Sequence, residues 1–321
     1  MAYIQLSRFL FLVQAAVAAG LLAAAVRRRA GAETSLLLLL GTGALAVSTV
    51  AGWILFYLGL GARVPFTPGA MCIFGVLQAA PRALRWAEAG FPLVLVCTGA
   101  GALAYRLEHR AGDPGTGRVR AALATGALAA LAHAALGLAG WVRLLHPPPG
   151  SVLSVSCCTT VFDVADAGRA VSWGLRLAPV WPAVATLGLL ATLRTLGRAC
   201  TFPGRPFAWM GAAAAAGVAA LSVPPLLLER WAPDLMGLID HHCPYCLLQR
   251  VAPAGPAALL ASLAVAAVLW GGWICLYRAG RPDLGEEGLR LEASLARAAL
   301  WFGFSAAGML AAYAVGKGMW P

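Results

Sequence analysis

Long uninterrupted apolar runs constrain this chain more than any other feature. Several runs extend for about 20 residues, enough to cross the hydrocarbon core of a bilayer as an α-helix. Of the 321 residues, 60% are hydrophobic and only 12% are charged, about half the charged fraction of an ordinary soluble domain. The chain is therefore predicted to be an all-α polytopic membrane protein. A soluble domain, a disordered chain and a small secreted protein held by disulfides are excluded.

Hydropathy predicts eight membrane-spanning helices. They cover residues 4–26, 35–59, 89–106, 119–145, 171–196, 207–228, 252–277 and 296–315. The first run is interpreted as a mature span and not as a signal peptide, because Arg27, Arg28 and Arg29 follow it at once.

The arginines predict the orientation of these spans. The connections that follow the odd-numbered spans, with their flanks, hold twice as many arginines as acids, whereas the other connections are closer to balance. The positive-inside rule then places both termini outside. It also places outside the long loops 60–88, 146–170 and 229–251. We expect a bacterial inner membrane with these loops in the periplasm, where disulfides persist. The net charge of +11 is therefore interpreted as a signal of membrane orientation. Nucleic-acid binding is not predicted, because the sequence has no basic helix with interleaved aromatic residues.

An internal duplication is predicted from a short cysteine motif and from matches downstream of it at almost the same offset, such as Tyr105-Arg106 with Tyr277-Arg278. The segment 72–78 begins with Cys and ends in Leu-Gln, and the segment 243–249 repeats that pattern 171 residues later. The two copies would have the same orientation in the membrane, because each holds an even number of spans. The predicted organisation is a first four-helix repeat (1–146), an outer linker (147–170) and a second four-helix repeat (171–321).

Cysteines are concentrated on the predicted outer face. Five of the eight lie in outer loops: Cys72, Cys157, Cys158, Cys243 and Cys246. Thiols placed only as small apolar side chains would favour the spans, where most residues lie. The outer loops are therefore the candidate site.

The sharpest motif is Cys243-Pro244-Tyr245-Cys246 at the start of a predicted helix. This spacing brings both sulfurs within reach of each other, and a helix N-terminus favours the first thiolate. The tetrapeptide is similar to the active-site motif of glutaredoxins, a resemblance that covers four residues and implies dithiol chemistry. A redox-active dithiol, a soft-metal site and a structural disulfide all remain open for this pair.

The metal interpretation draws on a larger set of ligands. Thiolate and imidazole ligands favour copper or zinc over hard cations. The candidate ligands are His241, His242, Cys243, Cys246, Cys157 and Cys158.

Two ionisable residues in the spans have ordinary interpretations. His133 in the fourth span is predicted to bond to a neighbouring helix, with haem ligation or quinone protonation as the alternative. Arg176 in the fifth span is predicted to extend to the membrane interface, with a quinone head group or lipid phosphate as its alternative ligand.

Three functions follow as hypotheses. The first is a membrane thiol–disulfide oxidoreductase that acts on a periplasmic thiol protein, with quinone as the candidate electron acceptor. In it Cys243 attacks, Cys246 resolves, Cys157 and Cys158 act as a shuttle, and Cys72 is a mixed-disulfide partner. Membrane oxidoreductases of the disulfide-bond-forming and vitamin K epoxide reductase type are similar in architecture and chemistry. The second hypothesis is a membrane protein that binds or handles a soft metal, copper, zinc or mercury, and is served by a metallochaperone. The third is a non-catalytic subunit of a membrane complex.

Overall fold

The structure is a computed structural model that describes residues 2–26, 32–70, 72–112, 117–147, 181–201, 206–226, 232–237 and 243–318. Every regular element in these ranges is a helix. The first part of the chain holds α1 (Ala2–Val26), α2 (Ala32–Arg63), a 3₁₀ turn (Val64–Phe66), α3 (Ile73–Ala79), α4 (Arg82–Arg110) and α5 (Gly117–Leu145). The second part holds α6 (Trp181–Thr201), α7 (Pro206–Leu226), α8 (Ala232–Met236), α9 (Pro244–Arg250), α10 (Ala254–Ala279), a 3₁₀ turn (Pro282–Leu284) and α11 (Gly285–Gly316).

Within the ranges that the structure describes, six helical segments are long and apolar enough to cross a membrane. They are Ala2–Val26, Leu40–Phe66, Arg82–Arg110, Gly117–Leu145, Ala254–Ala279 and Gly285–Gly316. These correspond to the first four and the last two predicted spans, which supports the polytopic class. The fifth and sixth predicted spans overlap α6 and α7. The apolar part found there is the shorter helix Pro206–Ala219, so the count of eight stays a prediction.

The chain divides into two compact units. The first comprises Met1–Val155 with Tyr277–Glu287, and the second comprises Ser156–Leu276 with Gly288–Pro321. The predicted boundaries of the two repeats and of the linker stay a prediction.

The first unit is built on a ring of four helices, because α1 packs on α2 and α5, and α4 also packs on both of these. The buried side of α1 shows how the sequence specifies this arrangement. Its buried residues alternate at spacings of three and four: Ile4, Ser7, Phe11, Gln14, Ala18, Leu21 and Ala25. That spacing forms one stripe along a helix. Large aromatic side chains, among them Phe56, Phe91 and Trp141, are buried between the four helices.

Glycines allow α4 and α5 to approach closely. A Cβ atom at Gly140 would lie 2.8 Å from the backbone N and Cα of Leu84, and one at Gly126 would lie 3.2 Å from the carbonyl oxygen of Cys97. Close packing through small residues is a usual way for membrane helices to associate, since lipid provides no hydrophobic drive between them.

The connection between α10 and α11 belongs to the first unit, where it contacts the ends of α4 and α5. The Tyr277 hydroxyl donates to Oε1 of Glu108 at 2.6 Å, and Nη1 of Arg281 donates to the same oxygen at 2.9 Å. Glu108 is fully buried. A second ion pair joins Arg110 to Glu287 at 2.6 Å. This side is the predicted inner face.

In the second unit, α6 packs on α7. The buried indole of Trp209 on α7 donates from Nε1 to Oε2 of Glu292 at 3.1 Å. The ring of Trp209 lies against Gly271 of α10, where a Cβ atom would overlap it. A buried carboxylate is thus held by an aromatic donor in a helical interior.

Candidate functional site

The Cys243–Cys246 motif forms the first turn of α9. Cys243 is the N-cap residue, with extended backbone angles of φ −76° and ψ 120°. Pro244 follows at the first helical position. Proline suits this position because an N–H group there would have no acceptor within the helix. The Leu247 amide donates to the Cys243 carbonyl at 3.1 Å. The sequence therefore begins a helix at the predicted place, with the two cysteines three residues apart on one face.

The two sulfurs of this pair are close together and buried. Their Sγ atoms lie within 4.8 Å of each other. A disulfide bond requires about 2.05 Å, so rotation of the side chains is needed to form one. Cys243 is 0% exposed and Cys246 is 8% exposed. The arrangement can support a dithiol–disulfide couple or two thiolate ligands for a soft metal ion.

Apolar packing fixes α9 from the side opposite its N-terminus. Leu247 and Val251 lie in a buried cluster with Ala232 and Leu235 of α8 and with Ala254. Tyr313 and Ala314 near the end of α11 pack against the same cluster. The cysteine pair is therefore carried by a short helix that is anchored in a hydrophobic core.

Cys72 has the same local setting in the first unit. It is the N-cap of α3, with φ −153° and ψ 177°, and α3 has seven residues, as α9 does. Cys72 is 1% exposed. Gly75 has the position in α3 that Cys246 has in α9, three residues after the N-cap, and a Cβ there would lie 2.8 Å from Ala70 Cα and Cβ. The helix α3 therefore has one thiol at its start and no room for a second.

The remaining predicted ligands lie outside the described residues. These are Cys157, Cys158, His241 and His242. Arg176 lies there as well. The predicted roles of all five residues stay predictions.

The three other described cysteines lie on long helices and not at the start of a short helix. Cys97 and Cys200 are half-buried on α4 and α6, and Cys275 is buried on α10. They lie in predicted spans or near the predicted inner face.

His133 confirms its prediction as a buried residue bonded to neighbouring helices. Its Nδ1 lies 3.1 Å from Oε1 of Gln14 on α1, and its Nε2 lies 3.0 Å from the carbonyl oxygen of Ala87 on α4. Gln14 in turn donates from Nε2 to Oγ1 of Thr49 on α2 at 3.3 Å. Sequence reasoning identified the histidine but not its partners.

Sequence reasoning also missed the buried carboxylates. Glu108 and Glu292 were counted only as loop charges, yet both are 0% exposed. Hydrogen bonds from Arg281 hold the pKa of Asp283 below its ordinary value, and the same bonds raise the pKa of Arg281. A related signal in the sequence is the Tyr-Arg pair at 105–106 that recurs at 277–278, because Tyr277 is the donor to Glu108.

These features define a class of protein: a polytopic α-helical membrane protein with a buried CxxC pair at the start of a short helix. No family model matches the chain, and no curated protein or solved structure matches it either. Its function is therefore inferred from its own residues.

Proposed function

We propose that the protein is a membrane thiol–disulfide oxidoreductase with Cys243 and Cys246 as its redox pair. The observation that supports this function is the proximity of the two sulfurs, within 4.8 Å at the first turn of α9. A dithiol at this spacing can close to a disulfide by side-chain rotation, while the apolar cluster under α9 holds the backbone in place. Cys243 attacks and Cys246 resolves.

The redox step needs an acceptor for electrons and protons. Oxidation of the two thiols forms one S–S bond and releases two electrons and two protons. A quinone takes up both and becomes a quinol, so it is the class of acceptor that we propose. The reduced pair is regenerated by exchange with a periplasmic thiol protein, whose own dithiol becomes a disulfide.

Burial limits how a protein partner reaches this pair. Exchange requires a thiolate that the partner sulfur can approach, and both side chains are at most 8% exposed. We propose that Cys157 and Cys158 carry electrons between the partner and the buried pair. In this scheme Cys72 serves as a mixed-disulfide partner.

The same burial gives a soft-metal site its support as a second candidate. A buried thiolate pair is costly in an apolar environment unless a cation compensates its charge. Cys243 and Cys246 would provide two ligands for copper or zinc, and the predicted set adds His241, His242, Cys157 and Cys158. A metallochaperone would then be the partner.

The proposed topology has eight spans in two parallel repeats in a bacterial inner membrane, with both termini in the periplasm. The order of elements supports it. Two long helices, a short helical segment, a seven-residue helix with cysteine at its N-cap position and two long helices occur in α1–α5. A similar order occurs in α6–α11, where the short segment is the five-residue helix α8 instead of a 3₁₀ turn.

Differential alkylation of native membranes tests the function. Thiols are trapped with acid, alkylated in denaturant before and after reduction, and read by mass spectrometry, with and without a soft-metal chelator. Oxidoreductase function predicts a Cys243–Cys246 pair that is partly reduced and partly disulfide, with no effect of the chelator. Addition of a water-soluble quinone should increase the disulfide fraction.

Two variants and a control make the result specific. Cys246→Ser should trap a mixed disulfide through Cys243, and Cys243→Ser should abolish it. Cys275→Ser, in the same unit on α10, should leave the redox state of the pair unchanged. Thiols that become reactive only after chelation would contradict the redox proposal and support the metal candidate. A fully and stably oxidised pair would contradict both.

A further inference from the structure

Both ring nitrogens of His133 lie next to oxygen atoms. Nδ1 is 3.1 Å from the Gln14 side-chain oxygen, and Nε2 is 3.0 Å from the Ala87 carbonyl oxygen. The ring is buried, at 3% exposure. A neutral imidazole has one N–H group, so it can donate to only one of these oxygens.

The arrangement as it stands satisfies a doubly protonated ring. Such a ring donates to Gln14 and to Ala87, the Gln14 amide donates to Thr49 Oγ1, and the Thr49 hydroxyl donates to the Leu45 carbonyl at 2.7 Å. Both ring N–H groups, one amide hydrogen of Gln14 and the Thr49 hydroxyl then each have an acceptor.

A neutral ring is satisfied by one reorientation. The Gln14 amide has the same shape in both orientations, so a half-turn places its N–H₂ group against Nδ1. The Nε2–H group still donates to Ala87. The Thr49 hydroxyl then rotates from Leu45 to the Gln14 oxygen. The two protonation states thus differ by one proton and by the direction of two hydrogen bonds.

Neighbouring side chains hold the His133 ring in position. A Cβ atom at Gly90 would lie 2.6 Å from the ring, so the glycine makes room for it. The ring centres of Phe91 and Phe11 lie 4.4 Å and 5.2 Å from that of His133, and both pack edge to face with it. These contacts prevent the ring from turning away from its two oxygens.

The ionisable groups nearest in sequence to the contact points lie on the same packed helices. They are Arg8 on α1, Tyr57 on α2 and Glu88 on α4. The Tyr57 hydroxyl donates to Glu88 Oε1 at 2.7 Å. The two hydrogen-bond partners of the ring, the Gln14 side-chain amide and the Ala87 carbonyl, are both uncharged.

We propose that His133 is a proton-binding site inside the first unit, with Gln14 and Thr49 as the hydrogen-bond chain that adapts to either protonation state. Its ligand is a proton. The inference does not rest on the dithiol function, because it uses no cysteine.

Solid-state ¹⁵N NMR of the full-length, histidine-labelled protein in lipid nanodiscs tests the proposal. The His133 ring is assigned by through-space contacts to labelled Phe rings. On titration from roughly pH 9 to pH 2, well to either side of the ordinary histidine pKa, we expect a neutral Nε2–H ring to become doubly protonated. The side-chain amide signal of Gln14 should shift over the same interval.

Two variants separate this chain from ordinary packing. Gln14→Glu replaces the reorientable amide by an acceptor, and the doubly protonated ring should then be present at every pH in that range. Gln5→Glu, at an exposed position of α1, should leave the wild-type titration unchanged. A neutral ring with its proton on Nδ1, or one unchanged form across the range in the wild-type protein, would overturn the proposal. So would a wild-type titration in Gln14→Glu.

Discussion

The replacement Gly140→Ala tests whether close approach of α4 and α5 holds the first unit together. The new methyl group would lie 2.8 Å from Leu84 N and Cα, which are backbone atoms that cannot move aside without shifting α4. Overpacking of this kind costs about 1–3 kcal/mol. The better helix propensity of alanine returns about 1 kcal/mol. We therefore expect the free energy of unfolding to fall by up to about 2 kcal/mol.

Two further glycines give this prediction a scale. Gly126→Ala brings a methyl group 3.2 Å from the Cys97 carbonyl oxygen, a milder overlap that should cost less than Gly140→Ala. Gly20→Ala on α1 has no atom within 4 Å of the new methyl group and should be neutral or stabilising. Unfolding in mixed micelles of increasing SDS mole fraction, followed by circular dichroism, measures all three. Equal free energies of unfolding for Gly140→Ala and Gly20→Ala would refute the close-packing argument.

Two more predictions concern the connection between α10 and α11. Tyr277→Phe removes the hydroxyl donor to the buried Glu108 and should lower the free energy of unfolding by about 1–3 kcal/mol in the same assay; no change would show that this hydrogen bond does not stabilise the fold. The pKa of Asp283 is lowered by Arg281, so its stabilising effect is present above the ordinary aspartate value of about 3.9 and is lost as the pH falls through its lowered pKa. Wild-type protein and Asp283→Asn should therefore differ in melting temperature near neutral pH and converge in strong acid, and a constant difference would contradict the assignment.

Local patterns in the sequence predicted local structure well. The apolar runs of α1 and α5 form helices that are long and apolar enough to span a membrane, and each carries one buried stripe. Pro244 and the three-residue spacing of Cys243 and Cys246 predicted a helix start with two neighbouring sulfurs, and the structure has both. These features depend only on residues a few positions apart.

Features that depend on distant residues were not predictable in this way. Gln14 and His133 are 119 residues apart, and nothing in either segment identifies the other as a partner. In the sequence, Glu292 is not distinguishable from an ordinary loop acid. Its partner Trp209, on α7, is identified only by the structure. Repetitive runs of alanine and leucine fit many neighbours, so hydropathy alone does not specify which helices pack together.

Burial of the Cys243–Cys246 pair sets a condition that its chemistry must meet. A thiolate in an apolar environment is costly, so electrons should leave this pair together with protons and not as bare charge. Oxidation to a disulfide satisfies this condition, because both protons leave with the two electrons and the product is neutral. A quinone accepts the same two electrons and two protons and dissolves in the bilayer.

A soft-metal ion satisfies the condition differently, since its positive charge compensates two thiolates that stay deprotonated. The oxidoreductase proposal and the metal proposal therefore predict opposite states of the same two sulfurs: neutral thiols in one case and metal-bound thiolates in the other. Sulfur X-ray absorption spectroscopy of the reduced protein before and after addition of a soft-metal chelator, with only Cys97, Cys200 and Cys275 replaced by serine, distinguishes the two states.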